Sequence, residues 1–231
     1  MSSLSIIVPV LDEVFGIRDA LTALAPLRQR GVEIIVVDGG SRDGTPDLAR
    51  PLADHLLVAP RGRAAQMNAG AAQARGDVLV FLHADTRLPA DADRLIVKDL
   101  ASTGRAWGRF DVIISGRHAL LPLIGFLMNV RSRWTGIATG DQAMFITRAA
   151  FDQAGGFPDL PLMEDISLSV RLKQIGWPLC LKQKVVTSGR RWEQNGVVRT
   201  VLLMWRLRLA YFFGVQPAAL AHRYGYAPRP D

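Results

Sequence analysis

A chain of 231 residues with 49% hydrophobic content can bury one sizeable α/β core, and its length argues against a string of independent domains. The single Cys180 excludes an internal disulfide, and no Cys/His cluster has the spacing of a zinc site. The net charge of +7 is concentrated in residues 171–231, which hold 11 Lys/Arg against 2 Asp/Glu; with no nucleic-acid motif present, that asymmetry points to an anionic membrane surface or a phosphorylated substrate.

Leu4 to Val10 is a short apolar run that reads as a strand, entered without the basic and apolar stretches of a secretion signal, so the expected location is cytoplasmic. Glu13 to Arg30 carries Ile17, Leu21, Leu24 and Leu27 at helical spacing and closes at Gly31. Glu33 to Val37 is a second buried-type strand. It stops at Asp38, where DGGSRDGTP predicts a tight turn and a helix with Thr45 as its cap and Pro46 as its first residue. His55 to Ala59 reads as a third strand, and Ala64 to Ala74 as an alanine-rich helix in which Asn68 and Gly70 are expected to serve close packing or turn formation rather than ligand contact. Val78 to Leu82 is apolar throughout, as a strand buried on both faces must be. The alternation predicts an α/β fold with a doubly wound, mostly parallel sheet and helices on both faces.

Open α/β sheets bind ligands outside the carboxyl ends of their strands, which singles out Pro9 to Glu13, Asp38 and Asp85. Asp85 can hold a hard cation against a substrate phosphate or cap the turn that follows, and position alone weighs the two equally. A nicotinamide-binding Rossmann domain is excluded because the first turn reads VPVLDEVFG, without G-x-G-x-x-G. No G-x-x-x-x-G-K-[ST] phosphate loop occurs either.

In the second half, Asp91 to Ala101 reads as a helix and Ala106 to Ile114 as a strand. The run ALLPLIGFLMNV over 119–130, interrupted by Pro122 and Gly125, falls short of the roughly 20 apolar residues that cross a bilayer. It is read first as a core helix and second as a surface leaning on lipid or acceptor. Ala143 to Thr147 is a strand, followed by a short helix ending at Gly155-Gly156-Phe157. Glu164-Asp165 opens a helix with Ile166, Val170 and Ile175 expected inward, and the paired carboxylates either complement the helix dipole or include a general base. Val197 to Val215 is an apolar, aromatic helix broken by arginines, suited to a membrane surface, to the body of the protein or to a second copy. Pro217 to Asp231 reads as a loose terminus.

The segments SIIVPVLDE, IIVVDGGSRDGT, GRAAQMNAGAAQARGDVLVFLHADT and GGFPDLPLMEDISLSVRLKQIG resemble, in order, the successive motifs of family 2 glycosyltransferases with the GT-A fold, over residues 4–190. The wording QMNAG, FLHADTRLP, PLMEDISLSVRL and VVTSGRRWE is most similar to a small bacterial branch associated with radical-SAM and selenodomain proteins and implicated in arsenosugar biosynthesis. The resemblance implies a GT-A-type domain over residues 1–195 and a basic, apolar, helical C-terminal extension over 196–231, packed on the domain or on a membrane surface. It implies an inverting transferase that moves a sugar from a nucleotide-diphosphate donor, a UDP-sugar favoured, to an acceptor hydroxyl.

Under that resemblance Pro9, Glu13 and Ala84 line the nucleotide-sugar pocket, and Asp38 accepts a hydrogen bond from a pyrimidine ring N–H. Arg61 and Arg63, flanking Gly62 at a helix start, are placed for the diphosphate. Asp85 takes the last acidic position of the family's Asp-x-Asp motif and would bridge Mg²⁺ or Mn²⁺ to the diphosphate, although His83 replaces the first aspartate. Asp141 and Gln142 are implied acceptor contacts, and Asp165, with Glu164 next, is the implied base. Arg191 would cover the diphosphate and Trp192 would stack on an acceptor ring. Ser188 stands where the processive relatives' Gln-x-x-Arg-Trp motif has glutamine, which argues against processive synthesis. The implied partners are the donor, a hydroxyl acceptor, the inner face of a membrane touched peripherally, and a second copy of the chain. The rival readings are a nucleotidyl or sugar-phosphate transferase, which would need a Gly- and Arg-rich loop where VPVLDE stands, and a non-catalytic sugar-nucleotide-binding module.

Overall fold

The computed structural model describes residues 3–226. Strands β1 (Leu4–Val10), β2 (Glu33–Asp38), β3 (His55–Val58) and β4 (Val78–Phe81) alternate with helices α1 (Ile17–Gln29), α2 (Thr45–Ala49) and α3 (Arg63–Gln73). The chain continues through β5 (Thr86–Arg87), α4 (Ala92–Thr103), β6 (Trp107–Ser115), α5 (Leu121–Thr135), β7 (Met144–Thr147), α6 (Arg148–Gln153), α7 (Glu164–Ile175) and β8 (Leu179–Ser188). Three helices follow: α8 (Arg190–Asn195), α9 (Val197–Phe212) and α10 (Pro217–Tyr224).

The eight strands form one sheet in the order β3-β2-β1-β4-β7-β6-β8-β5. The first four are parallel, with Ile6 opposite both Ile34 and Val80. β7 runs antiparallel to β4 and β6, while β8 returns parallel to β6. Alternating side chains of the central strands feed two cores. Ile6, Val8, Ile34, Val36 and Val80 pack with α1 and α4 on one face, and Ile7, Ile35, Val37, Leu79 and Phe81 pack with α3, α6 and α7 on the other. Gly70 lets α3 lie close to the sheet, since a Cβ there would fall 2.5 Å from Ile7 Cγ2 and 3.0 Å from Val37 Cγ2. The Asn68 side chain donates to the Phe157 carbonyl at 2.8 Å and accepts from the Phe157 N–H at 2.9 Å, tying α3 to the segment that leads into α7. Both residues thus serve packing, as the sequence suggests.

Four local expectations are corrected. Thr45 is the first residue of α2 rather than its cap; Gly44, at φ 85°, precedes the helix, and Thr45 donates to Asp43 instead. In α7 the buried residues are Glu164, Leu168, Ser169 and Leu172, while Val170 is 51% exposed, because the face toward the sheet is offset from the one that spacing indicated. The segment after Pro217 forms α10, whose Leu220 packs with Met163 and Leu207, so the extension folds back against the entrance to α7; the rest of the expected loose terminus, 227–231, lies outside the described residues.

The fourth correction concerns α5, which is not a core helix. It turns Leu121, Gly125, Asn129 and Ser132 toward β6 and leaves Leu123, Phe126, Leu127 and Trp134 exposed. Small and polar residues occupy the inner face because the helix lies against the β6 backbone: Asn129 bonds both the N–H (2.9 Å) and the carbonyl (3.0 Å) of Val112. Helix α9 also presents apolar side chains outward, at Val198, Leu202, Trp205, Leu209 and Phe212. No helix among the described residues is long and apolar enough to cross a membrane.

Candidate active site

The carboxyl ends of β1 and β4 and the start of α3 enclose a hollow of about 180 Å³, lined by Pro9, Glu13, Arg63, His83, Ala84 and Asp85 among others. Larger hollows lie at the opposite, amino end of the strands (370 Å³) and between β6 and α8 (490 Å³), but neither adjoins the acidic start of α7.

Each wall is fixed by identifiable bonds. Beyond β1 the chain turns at Asp12, φ 52°, and is pinned to the loop after β2: Asp12 N–H donates to Ser41 Oγ (2.9 Å), Glu13 N–H to Thr45 Oγ1 (2.8 Å), and Val14 N–H to Asp43 (3.0 Å). That network presents Glu13 to the hollow. Gly62, at φ 136°, starts α3 with Arg63 as its first residue. One turn on, the Gln66 amide donates to the carbonyls of Val10 and Val37, each at 2.8 Å, which clamps the helix start over two strand ends. Gly140 presses so closely on the His83 ring that a Cβ would fall 2.2 Å from Cε1. His83 Nδ1 in turn lies 3.4 Å from Asp141 Oδ1. The Gly140 N–H donates to Asp165 Oδ2 at 2.9 Å, joining this loop to α7. Asp12, Ala143 and Met163 are the non-glycine residues with positive φ among the described residues, and all three adjoin the site, where backbone strain of this kind concentrates.

The acids gathered here have unequal proton affinities. Glu164, 6% exposed, has its pKa pushed up to about 7, by desolvation first and the Asp165 charge second, against the opposing pull of Arg63 and His83. Desolvation also raises Glu13, opposed by Arg190, whose guanidinium lies 3.9 Å away, while Asp85 and Asp43 add to the rise. Desolvation works against the charge of Asp141, yet the His83 hydrogen bond and the charges of His83, Arg63 and Arg191 hold its pKa below the ordinary value. For Arg63, desolvation is outweighed by Glu164, then by Tyr224, Asp141 and Tyr226, and its pKa rises.

Several sequence-predicted residues have other employment. Asp38, 2% exposed, stands beside Val10 at the rim, but its carboxylate accepts from the N–H groups of Gly40 and Ser41, both at 2.9 Å, and from the Ser41 hydroxyl. Gln142 is fully buried and closes a capping box with Thr139, so its side chain shapes the 140 loop and does not reach an acceptor. Trp192, half-buried, packs one side against the cluster of Ile114, Leu121 and Val197. Arg191 stacks on the Tyr224 ring (3.6 Å to its centroid) and donates to the Tyr224 carbonyl at 2.9 Å, so it anchors the tail. Arg61 lies 5.8 Å from the Tyr226 ring centroid. Tyr224 and Tyr226 carry no pattern in the sequence that singles them out, and only the packing of the tail brings them to Arg191 and Arg61.

Asp85 is exposed, and among the described residues no three His, Cys, Asp or Glu groups are placed to cage an ion. One carboxylate on a rim beside arginines fits Mg²⁺ or Mn²⁺ shared with phosphate oxygens and water, the arrangement that Mg²⁺ favours at phosphate sites.

The family model described as Glycosyl transferase family 2 matches residues 5–155. The probable glycosyltransferase YdaM of Bacillus subtilis is 27% identical over 244 residues, covering 95% of this chain and 57% of that protein. A beta-monoglucosyldiacylglycerol synthase of Synechocystis is 27% identical over 191 residues, covering 71% and 40%. The chain thus spans about half the length of these curated relatives. Among solved structures, the mannosyltransferase PcManGT from Pyrobaculum calidifontis, in complex with GDP-Man and Mn²⁺, superposes with a TM-score of 0.66 at 25% identity, covering 98% of this chain and 66% of that one.

The raised pKa of Glu164 makes stability depend on pH. The unfolded carboxyl ionises near 4.5 and the folded one near 7, so the folded state binds the extra proton between them and loses stability as pH rises through that window. Glu164→Gln is expected to flatten this decline by at least about 3 °C in unfolding midpoint between pH 5 and 8, at roughly 2–4 °C per kcal/mol for a chain of this size. Parallel midpoint curves for the two proteins across that range would contradict the assignment.

Proposed function

The chain belongs to glycosyl transferase family 2, and from that premise we propose that it is an inverting, metal-assisted transferase that moves a sugar from a nucleotide-diphosphate donor to an acceptor hydroxyl. The observation that carries this reading is the position of Arg63. It lines one hollow with Glu13 and Asp85 and also interacts with Glu164 and Asp141, so the donor rim and the acidic start of α7 share a cation.

In this reading Arg61 and Arg63 hold the diphosphate at the start of α3, where guanidinium forks and free helix N–H groups favour it. Asp38 takes the ring N–H of the base, exchanging it for the Ser41 hydroxyl. A UDP-sugar is the favoured donor, and GDP-mannose enters the test because PcManGT binds it. A divalent cation held by Asp85 would supply neutralisation of the charge that builds on the departing diphosphate. Asp165 receives the proton of the acceptor hydroxyl as that oxygen attacks the anomeric carbon from the face opposite the diphosphate. Glu164, half protonated near neutral pH, limits the negative charge beside Asp165. Asp141, paired with His83, faces the acceptor.

The proposal includes a catalytic unit over residues 1–195 with 196–231 as its extension, of which residues 196–226 fold back on it, placement in the cytoplasm, and similarity to the arsenosugar-associated branch. A second copy of the chain stays among the proposed partners. It also includes peripheral contact with an anionic lipid surface. Trp205 and Phe212 stand 71% and 82% exposed on α9, and Arg199 and Arg206 lie on the same helix, a combination of apolar anchors and cations suited to an anionic interface.

Asp165→Asn is expected to lower transfer by about 10²–10⁴-fold, the span typical of a lost general base, with nucleotide affinity within about twofold of the parent. Mn²⁺-stimulated release of nucleotide from a panel of UDP- and GDP-sugars reads the donor. Undiminished transfer in the variant, or binding of every donor without release by the parent, contradicts the proposal. Trp205→Ser/Phe212→Ser is expected to abolish co-flotation with phosphatidylglycerol vesicles while sparing nucleotide release, and unchanged flotation would remove the membrane contact.

A further inference from the structure

Beside Asp165, and outside the donor hollow, two arginines feel the charge of that one acid without forming a salt bridge among the described residues. Arg131, on the inner side of α5, has both Nη1 and Nη2 buried with no hydrogen-bond partner among the described residues. Neither nearby acid bonds it directly. Asp111 is shared by Arg109 and by Arg133, which grips it through Nη1 at 2.7 Å and Nη2 at 2.8 Å. Asp165 feels the charge of Arg131, but its Oδ2 accepts from Gly140 N–H and its Oδ1 from Ile166 N–H. From the facing helix α9 comes Arg208, which also interacts with Asp165 and forms no ion pair among the described residues.

These guanidiniums repel each other. The Arg131 pKa is pushed down to about 10 by desolvation, then by Arg208, with Asp165 opposing and Arg109 adding to the fall; Arg208 is lowered by desolvation. At neutral pH both nevertheless remain charged. Two guanidiniums sharing one carboxylate, with the donors of Arg131 left unbonded, are unfavourable, and a planar fork of donors is matched best by a tetrahedral or planar oxyanion.

We infer that Arg131 and Arg208 form a subsite for an oxyanion, a phosphate in the first instance, entering between α5 and α9 beside Asp165. The sugar acceptor is then an anionic hydroxyl compound: its phosphate rests on the two arginines while the hydroxyl to be glycosylated lies at the Asp165 carboxylate. The acceptor half of this inference rests on the proposed function, whereas the anion subsite stands on the unpartnered arginines alone. Its closure by α9 also gives the extension a task, since an anion held there links α9 to α5 through charge-assisted bonds.

The test titrates glycerol 3-phosphate, a soluble phosphate monoester, into the full chain with the donor hollow already filled by UDP and Mn²⁺. Saturable binding is expected in the parent, weakened at least tenfold by Arg131→Gln and by Arg208→Gln, each with UDP affinity unchanged. Arg208→Gln, at a partly exposed position, keeps the test decisive if Arg131→Gln fails to fold. Repeating the titration with monomeric dihexanoyl phosphatidic acid identifies the source of the phosphate: a gain of tenfold or more assigns it to a lipid headgroup, and equal affinity to a soluble ester. Absence of binding to the parent, or equal binding to parent and Arg208→Gln, overturns the subsite. Loss of UDP binding in the parent would count instead against the donor reading, and the phosphate titration remains interpretable without it.

Discussion

The site depends on one guanidinium held among carboxylates. Glu13, Asp85, Asp141, Glu164 and Asp165 come from four separate stretches of chain, and like charges so placed repel unless a cation sits between them. Arg63 is the cation common to both groups, lining the hollow with Glu13 and Asp85 and interacting with Glu164 and Asp141, while Arg190 lies 3.9 Å from Glu13. Burial first, and the charge of Asp165 second, emerge as protonation: Glu164, the most buried of the five, keeps its proton to about pH 7. A rim that mixes carboxylates with arginines is also a better host for a diphosphate that brings a metal ion than for a bare one.

Much of the fold can be understood as holding that arginine in place. Gly70 sets the distance of α3 from β1 and β2, Gln66 clamps its first turn to Val10 and Val37, and Asn68 secures the loop that delivers Glu164. The Gly140–His83 contact fixes the opposite wall, where only a residue without a side chain fits against the imidazole. The extension completes the enclosure, with Leu220 packed on Met163, Tyr224 beneath Arg191 and Tyr226 lining the hollow, so a segment far along the chain touches both the residue before the acid pair and the hollow.

The first half of this arrangement is legible in the sequence because its signals are local. Continuous apolar strands, helical spacing and glycine-marked turns place β1 to β4 and α3 within a residue or two, and strand-end logic selects Glu13, Asp38 and Asp85. Reading fails where tertiary contact decides. The apolar run of α5 suggests a core helix, yet the helix lies so near β6 that Gly125, Asn129 and Ser132 are the residues that fit inside. Gln142 and Trp192 have the chemistry of acceptor contacts, but a capping box and a small apolar cluster claim them. Arg131 and Arg208 lie 77 residues apart in the sequence, so only the packing of α5 against α9 brings them to one acid.

The central claim is that the acid rim accepts a nucleotide diphosphate together with a cation bound by Asp85. Calorimetric titration of UDP and GDP into the parent chain and into Asp85→Asn, with and without Mn²⁺, tests it most directly. Mn²⁺ is expected to tighten binding of at least one nucleotide tenfold or more in the parent, and Asp85→Asn to remove most of that gain. Equal affinities with and without metal in the parent, or a full metal effect retained in Asp85→Asn, would contradict it.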